Sequence, residues 1–238
     1  MTDLHATWVY LSTSPLFHLT LTLASFQAAS WLFERSGRKP WLNPVLGAVI
    51  VNVAVLRLTG TDYATYFEGA QFVHFLLGPA TVALAVPLYR QWQRVRRSAL
   101  AITISLLAGS LTAIVSAVAV AWALGAPPAL LASVAPKSVT APVAMAIAEE
   151  LGGLPSLTAV VVIVTGILGA MIGPMVLDLL RVRDWRARGL AIGTASHGIG
   201  TARALQVNET AGAFAGLAMG LNALATALVL PILWGLFI

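Results

Sequence analysis

Long apolar runs, separated by three short and strongly basic stretches, organise this chain. Eleven of its fourteen Lys and Arg residues fall within 35–39, 90–97 and 181–188, while Arg57, Lys137 and Arg203 lie in or beside hydrophobic sequence. A helix needs about 20 apolar residues to cross the hydrocarbon of a bilayer. The pattern predicts membrane helices over 15–33, 41–58, 72–89, 99–124, 154–180 and 212–234, and a shorter, interrupted one over 191–205. The positive-inside rule then places the loops 34–40, 90–98 and 181–189 in the cytoplasm.

The stretch 129–153 does not fit a simple crossing, because Pro136 and Pro142 break it and Glu149, Glu150, Gly152 and Gly153 close it. If it spanned, helix 154–180 would deliver Arg181, Arg183, Arg186 and Arg188 to the outer face. A re-entrant segment that begins and ends outside removes the conflict, and such backbone is tolerated at membrane depth where protein or a wet cavity satisfies it. The expected fold is an all-α polytopic membrane protein of about seven helices plus this broken segment, with 191–205 crossing to the outside. Helix 72–89 and segment 191–205 are both broken and each precedes a long Ala-rich helix, so halves 41–124 and 154–237 of a single domain, 1–238, are expected to form an inverted repeat.

Composition supports this picture: 58% of residues are hydrophobic and 10% charged, with a mean hydropathy of +0.86. The net charge of +5 belongs to juxtamembrane loops, which argues for topology rather than a nucleic-acid partner. The absence of cysteine excludes disulfides, thiolate metal sites and a Cys nucleophile. Residues 1–7 lack a basic n-region leading into a short apolar core, so no cleaved signal peptide is expected. No HExxH motif, phosphate-binding Gly-Lys-Ser/Thr loop or Ser-His catalytic spacing occurs, so neither an enzyme nor an ATP motor is expected, and no metal or cofactor is implied.

Candidate chemistry gathers at the helix breaks. A helix that starts in mid-membrane presents unpaired N–H groups and partial positive charge to an anion. Pro79 suits a first helical turn, so Ala80 and Thr81 after Gly78 are expected to carry free N–H groups, and Gly198, Gly200 and Thr201 offer the same chemistry. Proline kinks and small-residue packing are the structural alternatives. Lys137, flanked by Ser138 and Thr140, needs a negative partner: Glu149, Glu150, a substrate carboxylate, or escape to the surface by snorkelling. Arg203 suits a carboxylate or acts as an interfacial anchor near Glu209. His197, beside Ser196, is a proton relay or a structural hydrogen-bonding group. Asp178 and Arg181 are spaced for a local ion pair.

Three segments, 76–89 around Leu77-Gly78-Pro79-Ala80-Thr81, 136–142 (Pro136-Lys137-Ser138-Val139-Thr140-Ala141-Pro142) and 193–204 around Ser196-His197-Gly198-Ile199-Gly200-Thr201, resemble the LrgB/CidB family of bacterial membrane proteins in the family's order. The resemblance covers about 43–231. It implies a bacterial inner-membrane protein with an LrgA/CidA-like membrane partner, and the possibility of a homo-oligomer. Two functions are implied: transport of small glycolate-, glycerate- or pyruvate-type acids, and holin/antiholin-like control of murein hydrolases. The residues expected at a substrate site are Gly78, Pro79, Thr81, Lys137, Ser138, Thr140, Ser196, His197, Gly198, Gly200, Thr201 and Arg203.

Overall fold

The computed structural model describes residues 14–83 and 85–237, all of them helical or in short connections. The segment 1–7, which carried the signal-peptide argument, lies outside the described residues. The chain divides into two compact units, Met1–Ala83 and Leu84–Ile238.

In the first unit, α1 (Pro15–Arg35) packs against both α2 (Pro44–Thr59) and α3 (Tyr63–Phe75), and α4 (Leu77–Ala83) follows. Prolines open α1 and α2, where a missing N–H costs nothing. Asn43 caps α2 by accepting from the Val45 and Leu46 N–H groups, and Gly60, at φ 66°, ends it. Asp62 accepts from Thr65 N at 2.8 Å, so α3 begins inside the polar stretch 59–69 that the hydropathy pattern leaves outside a helix. Polar side chains tie the helices together: Asn52 Nδ2 donates to Ser25 Oγ at 2.7 Å, and Thr22 meets the Tyr66 hydroxyl at 2.8 Å.

The second unit contains α5 (Ala85–Arg90), α6 (Trp92–Arg97), α7 (Ala99–Ala123), α8 (Pro128–Val134), α9 (Ala141–Glu150), α10 (Pro155–Leu179), α11 (Trp185–Val207) and α12 (Glu209–Phe237). Helices α7 and α12 run parallel. Ile102 and Leu106 cluster with Phe214 and Ala218, Ser110 meets Thr226 at 3.2 Å, and Ile114 clusters with Leu230 and Trp234. Both therefore start at a face rich in arginine and end at the opposite face, while α10 runs the other way. Large apolar side chains such as Leu100, Val120, Trp122, Leu179 and Leu228 stay exposed along these helices, as lipid contact requires.

Two helical hairpins enter this bundle from opposite faces. In the first, α8 and α9 fold back on each other: Ser133 Oγ accepts from Leu154 N at 2.7 Å, and Thr158 Oγ1 donates to Ser133 O at 3.0 Å. A straight crossing would separate residues 133 and 154 by about 30 Å at 1.5 Å per residue. The segment therefore folds back on itself, the geometry that a re-entrant path needs.

The second hairpin corrects the sequence reading. α11 does not cross the bundle; it reverses at His197, whose backbone (φ 41°, ψ −132°) is non-helical. A Cβ on Gly200 would lie 2.8 Å from Ile192 Cγ2, and Ile192 and Ala204 share one apolar cluster. Neither contact is possible in a straight helix, where eight residues rise about 12 Å. Both limbs end at the arginine-rich face, so α12 starts there. The crossing expected of 191–205 fails because the chain turns back at His197.

Five described stretches, Pro15–Arg35, Tyr63–Arg90, Ala99–Ala123, Pro155–Leu179 and Glu209–Leu236, are long and apolar enough to span by length and composition, and Pro44–Thr59 is a shorter apolar helix. The expected seven crossings thus counted the second hairpin as one. Within the second unit the visible correspondence is inverted: hairpin then long helix (α8–α9, α10) from one face, hairpin then long helix (α11, α12) from the other.

Candidate functional site: two hairpin tips

The hairpin tips meet near the middle of the second unit, and α12 joins them. Breaking a helix there leaves carbonyls at the end of one limb without intrahelical partners. The buried Asn222 supplies what they lack: its Nδ2 donates to Ser138 O of the first tip at 3.2 Å and to Thr194 O of the second at 3.1 Å. His197 Nε2 lies 3.0 Å from Val162 O of α10. Since a carbonyl can only accept, Nε2 carries the proton and the neutral ring keeps Nδ1 as its proton-accepting atom.

Glycines on α10 make room for the second tip. A Cβ on Gly166 would come within 2.6 Å of His197 Cε1, and one on Gly169 would collide with Ser196 Oγ. The first limb of α11 is pressed onto α12 in the same way, since a Cβ at Gly189 or Gly193 would strike the Ala211 or Ala215 carbonyl. This Gly-x-x-x-Gly against Ala-x-x-x-Ala contact is the small-residue packing by which membrane helices approach without hydrophobic drive.

A cavity of about 490 Å³ opens along the seam of α10 and α11, with Lys137, Thr165, Gly169 and Ser196 in its wall. Lys137 Nζ lies 3.2 Å from Ser138 Oγ. No carboxylate lies within 4 Å of it among the described residues. Glu149 and Glu150, the expected partners, are exposed at the other end of α9, about three turns away along the helix. Ser196 Oγ is buried without a hydrogen-bond partner. Thr140 is the N-cap of α9, and the returning limb of α11 begins just after His197, so two helix N-termini start at the tips.

The remaining expected residues are placed less uniformly. Thr201 Oγ1 donates to His197 O at 2.7 Å, bracing the reversal. Gly198 and Gly200 lie in the first turn of the returning limb, and Gly200 packs on Ser196 and Ile192. Arg203 sits further along that limb, about 9 Å of helix rise from His197. Glu209, near which Arg203 was expected as an interfacial anchor, lies 3.6 Å from Arg90. Asp178 pairs with Arg188 at 2.6 Å rather than with Arg181, whose left-handed backbone (φ 57°) turns the chain. Gly78, Pro79 and Thr81 belong to the first unit. There Ala80 N donates to Leu76 O at 3.0 Å, so the N–H expected to be free is used within the helix. The Thr81 side chain lies outside the described residues.

Asn222, Gly166 and Gly169 were missed by the sequence reading. Asn222 had a signal: an amide in the middle of a long apolar helix is costly without partners.

Long apolar helices with two opposed hairpins define a polytopic α-helical membrane protein. The chain belongs to the LrgB-like family, whose model matches residues 22–236. Uncharacterized protein YxaC of Bacillus subtilis is 39% identical over 92% of this chain and 95% of its own length. Uncharacterized protein YwbG of the same organism is 36% identical over 90% and 95%, and its Antiholin-like protein LrgB 29% identical over 92% and 95%. No solved structure matches the chain.

Proposed function

We propose that the protein is a secondary carrier of small monocarboxylates, of the glycolate, glycerate or pyruvate type, in a bacterial inner membrane with the arginine-rich face in the cytoplasm. The observation that carries this reading is the convergence of two half-helix N-termini and Lys137, a cation with no carboxylate within 4 Å among the described residues. Inverted hairpins that begin and end on opposite faces are the arrangement in which transporters hold an anionic substrate.

Lys137 neutralises the carboxylate, and Ser138, Thr140, Ser196 and the N–H groups near Gly198, Gly200 and Thr201 supply hydrogen bonds. His197 takes up a coupled proton at Nδ1, with Nε2 fixed by Val162. Arg203 attracts the anion from the cytoplasmic side. An LrgA/CidA-like subunit is the proposed partner.

The second reading is antiholin-like control of murein hydrolases and autolysis, which the name of the Bacillus subtilis relative favours. Purified protein in liposomes separates the two, with and without the LrgA-like partner. A carrier takes up labelled glycolate, glycerate or pyruvate saturably and exchanges it, and Lys137→Ala abolishes this while leaving the fold intact. Leakage of unrelated dyes without saturable uptake would favour the antiholin-like reading and sink the carrier.

A further inference from the structure

We propose that the arginine-rich face of the second unit carries a binding site for a phosphate group, separate from the hairpin tips. The face has eight arginines in 90–97 and 181–188. They are not spread evenly: a cavity of about 390 Å³ is lined by Arg94, Arg97, Arg183 and Arg186, with Trp185 and Thr210. Its walls come from α6, from the loop before α11 and from the first turns of α11 and α12.

One carboxylate, Asp184, reaches this cavity, and Arg186 already engages it through Nε and Nη2. The other acids of the face are taken: Asp178 by Arg188 at 2.6 Å and Glu209 by Arg90 at 3.6 Å. Arg94 Nη1 donates to Gln91 Oε1 at 2.7 Å and Thr210 Oγ1 at 3.4 Å, both neutral. Among the described residues, Arg97 and Arg183 have no carboxylate within 4 Å. Four guanidiniums thus converge on a space holding one already-paired negative charge, an arrangement that repels itself until an anion enters.

The chemistry of the donors selects the anion. Guanidinium forks match the oxygens of phosphate, whose several acceptors engage more than one arginine at once. The cavity falls in the size range of small-molecule sites. Trp185, stacked under the Arg188 guanidinium at 5.2 Å, and exposed Trp92 mark the headgroup level of a bilayer. The phosphate has two sources: an anionic phospholipid headgroup, or a soluble phosphate or phosphate ester.

The test uses the full chain, purified and delipidated in detergent, with thermal unfolding followed against phosphatidylglycerol, cardiolipin, phosphatidylcholine and inorganic phosphate. The parent is compared with Arg97→Gln/Arg183→Gln and with Arg96→Gln, which removes a neighbouring charge outside the cavity. Phosphatidylglycerol or cardiolipin should stabilise the parent where phosphatidylcholine does not, and the double variant should bind about 25-fold more weakly, at about five-fold per arginine. Protection by inorganic phosphate identifies a soluble ligand, and protection by lipid alone identifies the headgroup. An Arg96→Gln loss as large as that of Arg97→Gln/Arg183→Gln, or no protection by any phosphate species, overturns the site. Should the glutamine variant not fold, Arg97→Lys/Arg183→Lys decides, because it keeps the charge and loses the fork; unchanged binding then overturns the site.

Discussion

Asn222→Ala tests the central claim that one amide holds two interrupted helices together. The substitution removes the hydrogen bonds to Ser138 O and Thr194 O, at 3.2 and 3.1 Å. An intramolecular hydrogen bond is worth about 1 kcal/mol net, and a buried carbonyl left without a partner costs about 1–3 kcal/mol. Membrane measurements lie at the low end, near 0.6 kcal/mol per bond, because the unfolded chain in lipid also finds partners. Asn222 is only 1% exposed, so water does not easily replace its amide. The expected loss is therefore about 2–4 kcal/mol, or about 4–16 °C in melting temperature for a unit of this size. Asn222→Asp should be no better, because it keeps an acceptor where both neighbours are acceptors. The assay is reversible denaturant unfolding in micelles, read by circular dichroism. Losses under about 0.5 kcal/mol for both variants would show that the tips do not depend on the amide.

Gly169→Ala and Gly166→Ala push a methyl into Ser196 and the His197 ring, and each should lose about 1–3 kcal/mol by overpacking. Gly173→Ala, on the same helix, meets only Ile192 Cγ1 at 3.8 Å and should be neutral or gain up to about 1 kcal/mol of helix propensity; thermal unfolding of the three variants checks the contrast. Gly193→Ala should likewise fail to pack α11 on α12, visible as faster proteolysis within 185–207. The Arg186 hydrogen bond draws the Asp184 carboxyl from its ordinary 3.8 down to about 2. Its folded value is depressed, so the pair's stabilisation is present above about pH 4 and is lost as pH falls through about 2. Because the pair is exposed to water, its contribution is small and screened by salt. Subtracting acid-unfolding curves of Asp184→Asn from the parent should give a difference that is flat above pH 5 and shrinks towards pH 2.

Charge and hydropathy revealed the first hairpin because they acted together: two prolines, a closing Gly152-Gly153 and the arginines at 181–188 left no consistent crossing. The second hairpin had no comparable warning. Its turn contains no proline, and the reversal rests on a positive φ at His197, a conformation normally reserved for glycine. The residue carrying that strain is set by tertiary packing, with Gly166 yielding space on α10 and Val162 O receiving the ring. A local pattern cannot encode a partner 35 residues away. The Gly189 and Gly193 pair was visible in the sequence at helical spacing, but its consequence, a first limb parallel to α12 rather than antiparallel, follows only once the chain is known to turn back. For Lys137, both nominated glutamates fall away, because α9 carries them to the opposite end of its own hairpin.

The lack of a carboxylate beside Lys137 among the described residues bears on the two functions differently. A cation held in a membrane centre is expensive, and its neighbour Ser138 Oγ offers only a neutral dipole at 3.2 Å. A lesion-forming or regulatory bundle gains nothing from that cost and can associate through small-residue faces alone. A carrier gains affinity, since a carboxylate entering the cavity meets a charge whose desolvation is already part of the folded state. The two readings therefore predict opposite signs for one substitution. If Lys137 serves only the fold, Lys137→Met should destabilise the protein and leave any small-anion effect untouched. If it serves a substrate, Lys137→Met should raise the melting temperature of the empty protein while abolishing its stabilisation by millimolar glycolate or pyruvate. Melting curves of parent and variant, each with and without the acids, distinguish them, and a variant both less stable and still acid-protected would end the carrier reading.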